Sequence, residues 1–368
     1  MGAKQPDATV GVVGASARAA VHSLLRAGYT AWAVDLFGDR DLAMVAPCAV
    51  CPLGEYPAAL PGLSKQYPPG PVMYTGGLEN HPQVVAELAA SRELWGTGPT
   101  VLERVRDPYQ LFPALAGAGF RVPMLVRRGQ PCPATGRWLR KPLRSGGGLG
   151  IRFASPGEPP SADHVFQEFV DGVPMSVVYG GTTLLGVSEQ LLGEPWLHAK
   201  PFVYCGSIGP VEPPTELVNR PASTVLDFGV RGLWNLDCVL SQGCVVPVEI
   251  NPRYSASVEV VEHATGRAAF MVWQDQGRRA VPAVGKAIYY APRDLSFPAS
   301  GPWDADLAMP FNPWRLPTFA DVTAAGAVVP AGQPVITIFA SGSSAAECRG
   351  RLQSRARELD LLFAEHAT

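Results

Sequence analysis

The segment 141-KPLRSGGGLGI-151 sets three consecutive glycines, a leucine and a fourth glycine behind a lysine–proline pair. Its spacing excludes two familiar phosphate loops. A P-loop needs a lysine directly after its glycines, and none follows here. A dinucleotide fingerprint needs a strand that runs straight into G-x-G-x-x-G at a helix start. Here the order is strand, Lys141-Pro142, Arg144-Ser145, then Gly146, Gly147, Gly148 and Gly150, then strand. A glycine hairpin between two strands remains. Glycines let several N–H groups approach anionic oxygens closely, so such a hairpin can fold over nucleotide phosphates. Lys141 would reach the same phosphates from the strand below. From the loop alone, a mobile surface hairpin stays open as the alternative.

The surroundings favour a small-molecule ligand. The chain has 368 residues and a formal net charge of −2, which makes no global electrostatic case for nucleic acid. The basic cluster 137-RWLRKPLR-144 lies directly against the glycines and suits phosphates on a small molecule. Apolar residues make up 47 %, enough for the cores of two or three packed units. No apolar run reaches the length of a bilayer span, and MGAKQPDATV lacks a signal-peptide core, so no membrane partner is expected. The seven cysteines show no zinc-like pairing. They read as buried free thiols in a reducing compartment, and the expected location is cytoplasmic.

Upstream, residues 9–37 have a β–α–β rhythm. Asp35 lies at the distance of a ribose-binding acid, but G-V-V-G-A-S is not the dinucleotide fingerprint. The unit therefore reads as a Rossmann-like lobe whose strand ends face a substrate. Ser16 and Arg18 stand at the helix start, placed to touch a carboxylate or phosphate, unless they are only a cap and a surface arginine. A helix is expected over 81–94. Another begins near Asp107 and Pro108 and is ended by Gly117 and Gly119, with a domain boundary near residue 100.

Downstream, 164-HVFQEFVDGVPMSVVYG-180 leads from one strand to another, and Glu168, Phe169 and Val170 are candidates to hold an adenine edge. In 230-VRGLWNLDCVLSQGCVVPVEINPRYSAS-257 two strands flank a turn at Ser241-Gln242-Gly243. Asp237 lies on the first, Glu249 and Asn251 on the second, and opposed strands would bring their oxygens together. Hard oxygen ligands suit Mg²⁺, whereas two unpaired carboxylates would be costly to bury. A structural salt-bridge network is the alternative. Arg253 can neutralise a transferring phosphoryl group.

The ordered set Lys141-Pro142, 145-SGGGLG-150, 167-QEFVDG-172, Asp237 and 249-EINPR-253 resembles the ATP-grasp superfamily of carboxylate–amine and carboxylate–thiol ligases. The resemblance implies a mixed α/β and α+β architecture. It comprises a Rossmann-like pre-grasp domain (1–100), ATP-grasp lobes (101–280), and a small β-rich segment with a terminal helix (281–368). It implies ATP with Mg²⁺ or Mn²⁺, and an acyl phosphate that an amine converts to an amide. By the same resemblance Lys141, Ser145, Gly146, Gly147, Gly148 and Gly150 hold the phosphates, and Glu168, Phe169 and Val170 form the adenine hinge. Asp237, Glu249 and Asn251 hold the metal, and Arg253 steadies the phosphoryl group. Two positions depart from relatives. Pro174 stands where a ribose-binding glutamate is common, and Pro108 where a lysine often follows Asp107.

For the substrates, Lys200 is read near the nucleotide or the acid, Arg231 as a carboxylate clamp, Tyr204 in the acceptor pocket, and Trp234 as an aromatic wall or core. Together they look like the tyramine–glutamate ligase group of methanofuran-type one-carbon cofactor synthesis, which implies glutamate as the acid and tyramine or tyrosine as the amine. The expected partners are thus a small carboxylate and an amine. A ligase for another amino acid or small carboxylate, and a non-catalytic nucleotide-binding relative, are the alternatives. A charged fraction of only 17 % leaves room for an apolar homodimer face. The tail 321–342 resembles the small β-rich tail of carboxylase-like ATP-grasp enzymes, which packs back on the grasp domain. The last helix, 346–366, carries an apolar stripe at Leu352, Leu359, Leu362 and Phe363.

Overall fold

A computed structural model describes residues 8–218, 220–270 and 282–365. The expected boundary at 280 and the last residue of the terminal helix, His366, lie outside the described residues.

Four short strands, Thr9–Val13, Thr30–Asp35, Cys48–Val50 and Val72–Tyr74, form a parallel sheet in the order 48–50, 30–35, 9–13, 72–74. The inner strands are apolar on both faces, as a covered parallel sheet requires. Helix Arg18–Arg26 connects the first two. The helix expected over 81–94 runs over Pro82–Ser91, because the chain after it turns extended. There Val72 N donates to Glu93 O and Trp95 N to Val72 O. Helix Pro108–Gly117 begins as expected, with the Asp107 carboxylate accepting from Tyr109 N, but a further helix, Pro99–Val105, precedes it.

Two sheets then face each other. A small antiparallel sheet contains Trp138–Pro142 between Arg152–Phe153 and His164–Glu168. A large one has eight strands: 244–251, 233–241, 173–180, 183–192, 204–209, 283–290, 334–342 and 319–320, in that spatial order. The C-terminal strands therefore extend the large sheet: Ala283–Tyr290 pairs with both Tyr204–Gly209 and Pro334–Gly342. At the hairpin tip, Gln242 (φ 51°) and Gly243 (φ 80°) give the two left-handed residues that a tight two-residue turn needs. Helix Ala345–Ala364 buries Leu352, Leu359 and Phe363 against this sheet.

Helix Ala256–Thr265 is almost wholly buried where the large sheet meets the N-terminal unit. It carries Glu259 and Glu262 into that interior, which demands counter-ions. Arg18 supplies one. Its guanidinium pairs with Glu259 and, at 2.8 Å, with Asp321, while Lys286 Nζ reaches Glu259 at 2.9 Å. Arg26 meets Glu262 at 2.6 Å. Arg18 is 0 % exposed, so it is a structural cation and not a substrate contact at a strand end. Asp35 is also consumed internally, accepting from the backbone N–H of Ala17, Phe37 and Gly38 rather than facing a ribose. Trp234 is fully buried and stacked on Tyr179 at 4.1 Å, which makes it core and not a pocket wall. All seven cysteines are free thiols, with Cys244 exposed and Cys48 half-buried. Among the described residues no helix is long and apolar enough to cross a membrane.

Candidate active site between the two sheets

Strands Leu233–Ser241 and Cys244–Asn251 are antiparallel, with Asp237 opposite Glu249 and Asn235 opposite Asn251. Directly opposed residues project to one face, so two carboxylates and two amides converge at the sheet edge. Like charges at that distance repel, and each carboxylate is compensated differently. Glu249 is held by Lys141 Nζ at 2.8 Å and by Arg106. Burial works to raise its pKa, but Lys141 and Arg106 outweigh it and hold the carboxyl below its ordinary range. Asp237 instead accepts from three amides: Gln190 Nε2 at 2.8 Å, Asn235 Nδ2 at 2.6 Å and Asn251 Nδ2 at 2.8 Å. Burial, reinforced by the charge on Glu249, pushes Asp237 up to about 6.

Lys141 crosses to this edge from the small sheet. The glycine hairpin beside it is fastened at several points. Ser145 Oγ donates to Leu149 O at 2.6 Å, Arg106 Nη2 to Ser145 O at 2.8 Å, and Tyr204 N to Gly147 O at 2.9 Å. Gly148 has φ 77°, and a Cβ there would lie 1.9 Å from Phe202 O, so backbone approach to the large sheet requires glycine. Gly146 faces Glu79, 3.7 Å from where its Cβ would be. Gly150 has φ 77° and packs on Pro142.

At the hinge, the Glu168 carboxylate accepts from Met124 N at 3.0 Å. Phe169 N donates to Arg137 O, and its ring lies 4.1 Å from the Arg137 guanidinium and edge-on to Phe153. Val170 is buried. Arg253 bonds Glu79 at 2.7 and 3.0 Å and Asn251 Oδ1 at 3.2 Å.

The structure thus gathers Lys141, the glycine hairpin, Asp237, Glu249, Asn251 and Arg253. Neither Lys200 nor Arg231 bonds to any of Asp237, Glu249, Asn251 or Arg253 among the described residues. Lys200 is exposed on the turn before Tyr204–Gly209 and points toward Gly332. Arg231 is exposed, and its backbone is tied to Thr97. Tyr204 bonds Ser207 at 2.9 Å on the inner face. Sequence reasoning missed Arg106, Glu79 and Gln190, which carry no local motif. Asn235 had a legible signal, because it lies two residues before Asp237 on one strand and shares its face.

Comparison with known proteins places the fold. Residues 105–257 match the family described as an ATP-grasp domain. A carbamoyl phosphate synthase large chain from Caldanaerobacter subterraneus subsp. tengcongensis is 27 % identical over 124 residues, 30 % of this chain. The matched stretch spans only 10 % of that relative's length. Among solved structures, an L-amino acid ligase from Bacillus licheniformis aligns with a TM-score of 0.65 and 16 % identity, covering 97 % of this chain and 98 % of that one. The biotin carboxylase domain of Hydrogenobacter thermophilus 2-oxoglutarate carboxylase aligns at 0.66 and 13 %, covering 94 % and 88 %. A phosphoribosylamine–glycine ligase from Thermotoga maritima aligns at 0.60 and 16 %, covering 95 % and 96 %. The chain has the ATP-grasp fold, and its residues 105–257 match the ATP-grasp domain family over the stretch that holds Lys141, the glycine hairpin and the Asp237–Glu249–Asn251 edge.

Proposed function

We propose that the protein is an ATP-dependent carboxylate–amine ligase that uses Mg²⁺ or Mn²⁺. The supporting observation is the juxtaposition of Asp237, Glu249 and Asn251 on the large sheet with Lys141 and the glycine hairpin on the small one. The donor set fits a hard divalent ion, since the carboxylates of Asp237 and Glu249 oppose each other beside the amide of Asn251 and no thiol or imidazole joins them. Asp237, Glu249 and Asn251 would hold the ion, and Lys141 with the hairpin N–H groups would hold phosphates. The biotin carboxylase domain from Hydrogenobacter was captured with magnesium ADP and bicarbonate, which supports a nucleotide with Mg²⁺ as the ligands here. ATP supplies the phosphoryl group that turns a carboxylate into an acyl phosphate, and an amine then displaces phosphate to give an amide. Arg253 lies beside Asn251 to balance negative charge during transfer. The chain's part is positioning and charge neutralisation, so no side-chain nucleophile is required.

Within this class we take glutamate as the acid and tyramine or tyrosine as the amine, on the resemblance to the methanofuran-type ligases. The test is an acid-by-amine matrix with ATP and Mg²⁺, started with those pairs and read as ADP release and product mass. Ligation is expected to release ADP only when both partners are present. Glutamate is excluded if another acid alone supports turnover. ATP binding without ADP release from any pair would overturn the ligase reading and favour a nucleotide sensor.

The reading also predicts a pH dependence. A metal-binding carboxylate must be ionised, and Asp237 loses its proton only near pH 6. Glu249 stays ionised throughout this range because Lys141 and Arg106 hold it low. Mg²⁺ affinity in the presence of ADP is therefore expected to be constant above pH 7 and to weaken about tenfold per unit well below pH 6. Calorimetric titration between pH 5 and 8 measures it, and a flat profile would remove Asp237 from the ligand set.

A further inference from the structure

Arg106 follows helix Pro99–Val105 and is 11 % exposed at its side chain. Its guanidinium joins three parts of the molecule. It pairs with Glu249 on the large sheet, donates to Ser145 O of the glycine hairpin at 2.8 Å, and lies 3.4 Å from Asn80 Oδ1 in the N-terminal unit. Its Nε is buried with no acceptor among the described residues. Glu249 thus carries two cations, Lys141 and Arg106. A divalent ion on that carboxylate would share its charge and repel both cations, which weakens these pairs. The guanidinium would then be a buried cation beside a glycine hairpin, in need of another anion. Its planar fork matches two oxygens of a phosphate, and Ser145 O already fixes its place next to the hairpin.

We propose that Arg106 is a phosphate-binding latch. It is held by Glu249 when the nucleotide is absent and passes to the outer phosphate oxygens when Glu249 engages the metal, keeping the hairpin and the N-terminal unit closed over the nucleotide. The inference rests on the ATP reading above and adds a residue to it. It requires Arg106 to sense phosphates and not the nucleoside.

The test is equilibrium binding of ATP, ADP and adenosine, each with Mg²⁺, to the full chain as wild type, Arg106→Ala and Arg106→Lys. Arg106→Ala is expected to weaken ATP and ADP by about tenfold or more while leaving adenosine unchanged. Arg106→Lys, which keeps the charge without the fork, should recover only part of the loss and decides the matter if the alanine variant does not fold. Adenosine weakening in step with ATP would make Arg106 a structural support and overturn the proposal. So would ATP affinity that stays at the wild-type value in the variants. Failure of wild type to bind ATP at all would instead strike the ATP reading itself, a separate outcome.

Discussion

Glu249→Gln is expected to lower ATP-dependent turnover by about two to three orders of magnitude while the protein stays folded. Glu249 is the carboxylate on which Lys141 and Arg106 converge, and it is opposed across the strands to Asp237. Glutamine keeps the length and the volume but only one oxygen, so one of the two cations keeps its acceptor and the other loses it. The variant lacks the negative charge that draws a divalent ion to this edge. Removing it also lifts repulsion from Asp237, whose proton should then be lost at lower pH. Steady-state ADP release under saturating Mg²⁺, with circular dichroism as the control for folding, measures the effect. Turnover within about threefold of wild type would remove Glu249 from the metal set.

Arg18→Met is expected to cost about 3–5 kcal/mol of stability, the range for breaking a buried ion pair by removing one partner. Arg18 is 0 % exposed and compensates Glu259 and Asp321 at the junction of helix Arg18–Arg26, helix Ala256–Thr265 and the C-terminal strands. Methionine fills much of the volume but, among the described residues, leaves Glu259 with Lys286 as its remaining ion pair and Asp321 with Thr337 Oγ1 as its remaining side-chain donor. The midpoint of thermal unfolding should fall by about 4–7 °C for a chain of this size. Adding Glu259→Gln should return part of the loss, because the two residues share one network. An unchanged midpoint in Arg18→Met would show that the network is not what joins the N-terminal unit to the large sheet.

The two predictions differ in how far sequence could have led to them. Glu249 was reachable, because the strand–turn–strand pattern around Ser241-Gln242-Gly243 is local and implies that Asp237 and Glu249 oppose each other. Alternation along a strand is short-range geometry, so Asn251 and Asn235 follow from the same reasoning. The β–α–β opening, the helix start at Asp107-Pro108 and the apolar stripe of the terminal helix were legible for the same cause. Arg18 was not legible. Its partner Asp321 is 303 residues away, and an arginine at a helix start reads alike whether it faces solvent or a buried glutamate. The extra helix Pro99–Val105 was missed because glycine and proline surround it and its apolar face is short.

What the sequence alone determined is the ordered series of motifs, from Lys141-Pro142 and the glycine hairpin to Asp237 and 249-EINPR-253. With it came the class of fold that such a series serves, since each motif is a local pattern of turn chemistry and strand alternation. What compensates the charges was settled by the packing of distant elements. Arg106 reaches Glu249 across 143 residues, Arg253 reaches Glu79 across 174, and Trp234 lies in the core. The physical reason is that a buried carboxylate accepts whichever cation the packing of distant elements delivers, and nothing in the few residues around either partner records that delivery.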